Sequence, residues 1–286
     1  MKNKKLSHNG LQGSVTSVMA ALLCILIGLA VGFLVLLAIN PAHAWADGFV
    51  RILKGGFHDA PYGVGKELAN AAPLIMTGLS VGFAFKTGLF NIGAAGQYTL
   101  GAYGALYCAI MLKLPWFVCL LAAAILGGLW GAIPGFFKAY FNINEVITSI
   151  MFNWIGLYLV NELVYQNGTG PMYDVRNTRT LNLGKNADLA QSVIPDFGLN
   201  KLFQTNSTTI AIFLAAVVAI LIWVVLNKTT FGYELKAVGL NKSAARYAGI
   251  NEKKNIILSM AIAGALAGFG AGLFYLSNVG QWNPLN

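Results

Sequence analysis

Long apolar runs that lack charged residues constrain this chain more than any other feature of its sequence. Residues 15–39 contain no Asp, Glu, Lys or Arg, and six further apolar runs carry at most one each. A helix needs about 20 apolar residues to cross the hydrocarbon core of a bilayer. The six further runs are residues 68–85, 98–112, 116–137, 146–164, 210–226 and 256–276. The sequence therefore predicts an all-α integral membrane protein, a polytopic helical bundle with about seven apolar segments.

The composition excludes a soluble fold. Of the 286 residues, 57% are hydrophobic and 10% are charged, whereas soluble domains carry about 25% charged residues. The net charge of +9 reflects Lys and Arg in the connections, so we expect the lipid bilayer and no nucleic acid as a partner. With the N-terminus inside, eleven of these cations lie on the inner side and eight on the outer side, as the positive-inside rule favours.

This topology divides the chain into a cytoplasmic N-terminus, residues 1–14, and a single transmembrane domain, residues 15–286. The first apolar run is longer than the roughly 7–15 residues of a cleaved signal peptide, so we expect it to be retained. Residues 41–66 and 166–206 are predicted external loops, and residues 227–254 are a predicted cytoplasmic loop.

Two glycine ladders predict close helix packing. Residues four apart share one helix face, and small residues there let two backbones approach. The ladders are Gly127, Gly131 and Gly135, and Gly264, Gly268 and Gly272.

Two polar segments interrupt the apolar pattern. Residues 86–97 contain four glycines and two amides, which fits either a cytoplasmic turn or a broken or re-entrant piece near 86–100 that holds substrate. Further on, Glu145, Thr148, Ser149 and Asn153 share one helix face, which must face the bundle interior or water. Glu145 is expected near the end of its span.

The segment 229–250 differs from a simple connector. Residues 241–248 favour a short helix, with Asn241 as the N-cap and Gly249 at the position after the C-cap. Such a helix could dock into a partner protein or lie on anionic headgroups. The Cys and His residues lack metal-ligand spacing and no phosphate-binding loop is present, so we expect no metal, no cofactor and no enzymatic activity.

Three segments, in order, resemble signatures of the permeases of bacterial ATP-binding cassette (ABC) importers in the nucleoside and simple-sugar group. The first surrounds Lys86–Gly93 (KTGLFNIG) and extends to Gln97, and the second is Asn144–Ile147 followed by Asn153. The third is residues 231–250, in which Ser243-Ala244-Ala245 and Gly249 match the small-residue and glycine positions of a coupling motif. Ser243 replaces the acidic residue of that motif, so the resemblance does not imply a salt bridge there. The family that this chain resembles typically continues with further spans, whereas this sequence stops soon after its seventh run. The resemblance therefore implies either a fragment, truncated at the C-terminus, or a shortened member.

The resemblance implies a multi-pass protein of the bacterial plasma membrane that forms the path for a nucleoside. Ribose-like sugars are the alternative substrate, and a stand-alone secondary transporter using Glu145 is a second alternative. Implied partners are separate ABC ATPase subunits, which hydrolyse ATP, a second homologous permease and an extracytoplasmic substrate-binding lipoprotein. Predicted ATPase-coupling residues are Gly232, Glu234, Gly239, Ser243, Ala244, Ala245 and Gly249. Predicted path residues are Asn91, Gln97, Glu145, Ser149 and Asn153, whose amides and hydroxyls suit a neutral polyhydroxyl ligand.

Overall fold

A computed structural model describes residues 3–57 and 59–284. The chain divides into two compact units between Asp59 and Ala60. The first unit contains helix α1 (Asn3–Ile39), a π-helical turn (Ala44–Phe49), helix α2 (Val50–Lys54) and a 3-10 turn (Gly55–Phe57).

The second unit is helical apart from one small hairpin. Its helices are α3 (Tyr62–Lys86), α4 (Ala94–Ile110), α5 (Trp116–Phe141), α6 (Glu145–Tyr165), α7 (Leu199–Leu202), α8 (Ala211–Lys228), α9 (Thr230–Leu240), α10 (Lys242–Tyr247) and α11 (Glu252–Tyr275). Strands β1 (Tyr173–Asp174) and β2 (Arg179–Thr180) pair antiparallel.

The predicted all-α membrane fold is confirmed. Among the described residues, six helices are long and apolar enough to cross a membrane: α1 through its segment Val18–Ile39, α3, α5, α6, α8 and α11. Helix α4 is the predicted short segment, because its 17 residues extend about 26 Å across a core of about 30 Å.

Several helix boundaries differ from the prediction. Helix α3 begins at Tyr62, six residues before the predicted start, because a helix continues through Lys66 and Glu67 although both are charged. Helix α4 begins at Ala94, four residues early, since the small residues of its first turn were taken for a loop. Apolarity marks where a helix meets lipid, and the hydrogen-bonded helix extends beyond that point.

Helix α11 is the centre of the second unit. Two thirds of its most apolar stretch (67%) is buried, against 33% or less in the other five spans. Its neighbours are α3, α4 and α5. A membrane helix enclosed on several sides needs small residues wherever another backbone approaches it.

The two predicted glycine ladders pack against each other at the contact between α5 and α11. A methyl group on Gly264 would lie 2.3 Å from the carbonyl oxygen of Gly127, and one on Gly268 would lie 2.3 Å from that of Ala123. Helix α4 joins this contact, because a methyl group on Gly101 would lie 2.3 Å from the Cα of Gly268. The prediction of close packing is confirmed.

The two ends of the second unit have different structures. At the hairpin end, residues 166–206 form an ordered loop that buries Met172, Leu183 and Ile194, as the sequence predicts. The chain after α11 is attached to this loop, since Thr180 and Trp282 exchange hydrogen bonds of 2.9 Å. At the opposite end, here called the α9 end, lie the α3–α4 turn, the α5–α6 turn and helices α9 and α10.

Replacing Gly268 with alanine should destabilise the protein, because the added methyl group has no room against Ala123. Overpacking of this kind costs about 1–3 kcal/mol. The control is Gly78→Ala, since nothing lies within 4 Å of the added methyl and alanine favours a helix by up to about 1 kcal/mol. Unfolding by a denaturing detergent would measure both free energies, and equal values would contradict the packing described here.

Candidate functional site

Helices α9, α10 and α11 at the α9 end each begin at a polar side chain that caps the helix. The Thr229 hydroxyl accepts from the backbone N–H of Gly232 at 3.1 Å, Asn241 from Ala244 at 3.0 Å, and Asn251 from Lys254 at 3.0 Å. These caps satisfy N–H groups that a helix start leaves unpaired. The predicted short helix with Asn241 as its N-cap is confirmed.

Helix α9 was not predicted. Its signal is the Thr229 cap followed by Phe231, Leu235 and Val238, which recur at helical spacing. Leu235 and Val238 are buried, and α9 packs on α8 and α11. Gly232 permits the first of these contacts, because a methyl group there would lie 2.1 Å from the carbonyl oxygen of Val225.

Helix α10 and the residues beside it form an exposed surface, here called the docking surface: Leu240, Ser243, Ala244, Tyr247 and Gly249. Leu240 is 88% exposed and Tyr247 is 95% exposed. Ala245 is buried and holds α10 in place. Gly249 has a φ of +80°, a conformation that favours glycine, and directly follows the C-cap, as predicted. Large exposed side chains on a short helix of this kind can mark a surface that a protein partner or a membrane covers.

The end of α9 contacts the α3–α4 turn through two glycines. Gly88, with a φ of +73°, lies against Gly239, so that a methyl group on Gly88 would be 2.4 Å from the Cα of Gly239. A methyl group on Gly239 would be 2.5 Å from the backbone of Thr87. The first and third signature segments therefore meet backbone to backbone.

Polar side chains connect this junction to α11. The Thr87 hydroxyl hydrogen bonds with that of Ser259, and the Asn255 amide donates to Glu234 at 3.4 Å. Arg246 of α10 lies 3.7 Å from Glu252 in the first turn of α11. Displacement of α9 or α10 would consequently act on both the α3–α4 turn and the central helix.

A buried pair of amides lies at the start of α4. Asn91 donates to the Gln97 side chain at 2.7 Å and accepts from it at 2.9 Å, and each is 1% exposed. Asn91 also donates to Ser80 at 3.0 Å, and Ser80 donates to the Ala263 carbonyl at 2.6 Å. Sequence reasoning missed Ser80, whose only signal is a hydroxyl in an apolar run. The amides therefore connect the turn to α3, α4 and α11.

The polar face of α6 meets the same turn from the other side. Asn153 accepts from the Gly96 N–H at 2.8 Å and donates to the Ile92 carbonyl at 3.0 Å. Ser149 is fully buried, and its hydroxyl has no hydrogen-bond partner among the described residues. It faces Gly93, where a methyl group would lie 3.1 Å from both the Ser149 hydroxyl and the Gln97 amide nitrogen. The face thus points into the bundle, as predicted.

Glu145 lies apart from this cluster. It is the first residue of α6 and pairs with Lys138 at 2.8 Å, with both side chains less than 20% exposed. Lys138 and Lys242 of α10 line one surface pocket. Of the five predicted path residues, the structure brings together Asn91, Gln97, Ser149 and Asn153, and it places Glu145 one turn nearer to α10.

Residues 87–93 form the turn between the end of α3 and the start of α4, which is the first of the two alternatives that the sequence left open. The buried side chains of Thr87 and Asn91 are hydrogen bonded within the protein. Spanning helices around a buried polar cluster define a multi-pass membrane protein.

Comparison with known proteins identifies the family. The family model described as "Branched-chain amino acid transport system / permease component" matches residues 65–284, so the chain belongs to this permease family. It is a multi-pass protein of the bacterial plasma membrane. No solved structure is significantly similar to it.

Three curated relatives are similar over most of this chain. The guanosine ABC transporter permease protein NupP of Bacillus subtilis is 34% identical over 94% of this chain and 72% of its own length. The nucleoside ABC transporter permease protein NupB of Lactococcus lactis is 32% identical over 91% and 72%. A glucose ABC transporter permease protein of Haloferax volcanii is 35% identical over 87% and 65%.

Replacing Gln97 with leucine should destabilise the protein by about 1–3 kcal/mol, because it leaves the buried Asn91 amide without its main partner. The double variant Asn91→Leu/Gln97→Leu should cost less than the sum of the two single variants, since no amide is then left unpaired. A double-mutant cycle of detergent unfolding measures this coupling. Strict additivity would show that the two amides do not stabilise each other.

Proposed function

We propose that this chain is the permease subunit of an ABC importer that takes up nucleosides. The observation that carries the proposal is the exposed docking surface together with the backbone contact of Gly239 with the α3–α4 turn, the turn that also contains the buried Asn91. The names of the guanosine and nucleoside permeases support this class of substrate. ATP hydrolysis would then occur on separate ATPase subunits. A second homologous permease and an extracytoplasmic binding lipoprotein would complete the importer.

In this proposal the α9 end faces the cytoplasm, and an ATPase subunit covers the docking surface. Leu240 and Tyr247 would supply the apolar contact, while the small side chains of Ser243 and Ala244 would allow close approach. Gly232, Gly239 and Glu234 would act behind the surface, by holding α9 against α8, the α3–α4 turn and α11. ATP binding changes the position of the ATPase subunits, and a bundle with two stable arrangements converts this into alternating access.

The predicted path residues keep their role as part of this proposal. Asn91 and Gln97 satisfy each other in the present arrangement. Movement of the α3–α4 turn relative to α6 would separate them and expose donors and acceptors beside Ser149 and Asn153. Neutral amides and hydroxyls can hydrogen bond a nucleoside without burying a charge. Glu145, paired with Lys138 near α10, would act at the cytoplasmic mouth of the path.

Sugars are the second candidate substrate, favoured by the glucose permease among the relatives. The same amides and hydroxyls can hydrogen bond a hexose or a pentose. A nucleoside differs from these sugars because it also carries a flat aromatic base.

Uptake by membrane vesicles tests the proposed function. Vesicles that contain this chain, its ATPase and its binding protein should accumulate labelled guanosine only when ATP is supplied. Glucose should neither accumulate nor compete. Accumulation of glucose but not of guanosine would favour a sugar permease. Guanosine uptake driven by an ion gradient without the ATPase would show a secondary transporter.

A charge on the docking surface should uncouple transport. Tyr247→Asp should lower ATP-driven uptake about tenfold or more, since a buried aromatic contact at an interface is often worth about 2 kcal/mol. The control is Tyr247→Phe, which keeps the aromatic ring at the same position. The Tyr247 side chain is 95% exposed, so neither change should alter unfolding. Equal uptake by the two variants would remove the docking role.

A further inference from the structure

A groove of about 590 Å³ lies between α3 and α8 at the α9 end. Its walls are apolar and include Leu79, Ile222 and Leu226. Gly82 leaves the groove open, because nothing lies within 4 Å of the position that a side chain would take. Trp223 also lines the groove and is 57% exposed.

Positive charge is concentrated at one end of this groove. Lys86 ends α3 and Lys236 belongs to α9, and both line the groove together with Asn227. Within the described part of the chain, no Asp or Glu lines the groove and neither lysine forms an ion pair. The Lys236 ammonium has one protein partner there, the Asn227 side-chain oxygen at 3.4 Å.

We propose that this groove binds an anionic phospholipid of the cytoplasmic leaflet. One acyl chain would lie between α3 and α8, and the phosphate would lie between Lys86 and Lys236. Basic pockets between spanning helices bind such headgroups, since each cation near the surface contributes about 1 kcal/mol. Trp223 is placed as tryptophans are at the membrane interface. The assignment of the leaflet rests on the proposed function.

The charge distribution favours a lipid over a protein helix as the occupant. A helix packed along the whole groove would cover Lys86 and Lys236, and unless it carried acidic residues the two charges would be buried without a counter-charge, which is costly. A phospholipid has the matching arrangement, an apolar chain with a negative group at one end. Its phosphate would tie α9 to the end of α3, one residue from Thr87, and so support the Gly88–Gly239 contact.

Quenching of Trp223 fluorescence tests this site directly. The assembled importer is placed in bilayers that contain either phosphatidylglycerol or phosphatidylcholine with brominated acyl chains, and the signal of Trp223 is obtained by difference from a Trp223→Phe variant. Brominated phosphatidylglycerol should quench Trp223 at a lower mole fraction than brominated phosphatidylcholine. Each of Lys86→Gln and Lys236→Gln should reduce this preference about fivefold, and the double variant about thirtyfold.

Matched variants test the two halves of the site. Gly82→Leu should fill the groove and abolish selective quenching, whereas Gly78→Leu, one turn further from the lysines and equally open, should not. Lys66→Gln, near the opposite end of α3, should leave the preference unchanged. Because quenching needs no transport, these results do not depend on whether guanosine is taken up.

Three outcomes would overturn the proposal. Equal quenching by the two lipids would mean unselective contact with the bilayer. Loss of the preference in the presence of millimolar inorganic phosphate would mean that the lysines bind a free anion. Quenching in the isolated chain that disappears in the assembled importer would mean that a protein segment fills the groove.

Discussion

The contact between α5 and α11 governs the second unit of this protein. Its glycines bring two backbones so close that a methyl group on Gly264 would lie 2.3 Å from the Gly127 carbonyl oxygen. In lipid, apolar side chains gain little by leaving the solvent, so helices associate through close packing and polar contacts. Glycines at the contact between α5 and α11 allow that close packing, because they have no side chain. Because α3, α4 and α5 all pack on α11, their positions relative to one another depend on this central helix.

Close packing also explains how polar groups are accommodated inside the helical bundle. With α11 near α3, Ser80 reaches the Ala263 carbonyl and in turn accepts from Asn91. Asn153 of α6 satisfies the Gly96 N–H at the start of α4, a group that lipid could not satisfy. The α3–α4 turn is therefore stabilised from both sides. Ser149 keeps a hydroxyl without a protein partner among the described residues, which leaves the cluster one unfilled hydrogen-bonding group.

Local sequence patterns predicted the spans, the glycine ladders and helix α10 with its Asn241 cap. Each depends on residues within a few turns of one helix, so spacing alone reveals it. The start of α4 was missed because glycine and alanine give no strong hydropathy signal, and α9 was missed because polar residues interrupt its apolar positions. Pairings across the fold, such as Asn91 with Gln97 beside Ser80, need the helices to be placed first. The sequence shows the amides of Asn91 and Gln97, but it does not show that they hydrogen bond to each other.

The contact of Gly88 with Gly239 consists of main chain alone, without a charge, a hydroxyl or an aromatic ring at its centre. Such a van der Waals contact resists compression, but it contains no hydrogen bond or ion pair that must break when the two segments slide past each other. The stability of this contact should therefore be independent of pH and of ionic strength.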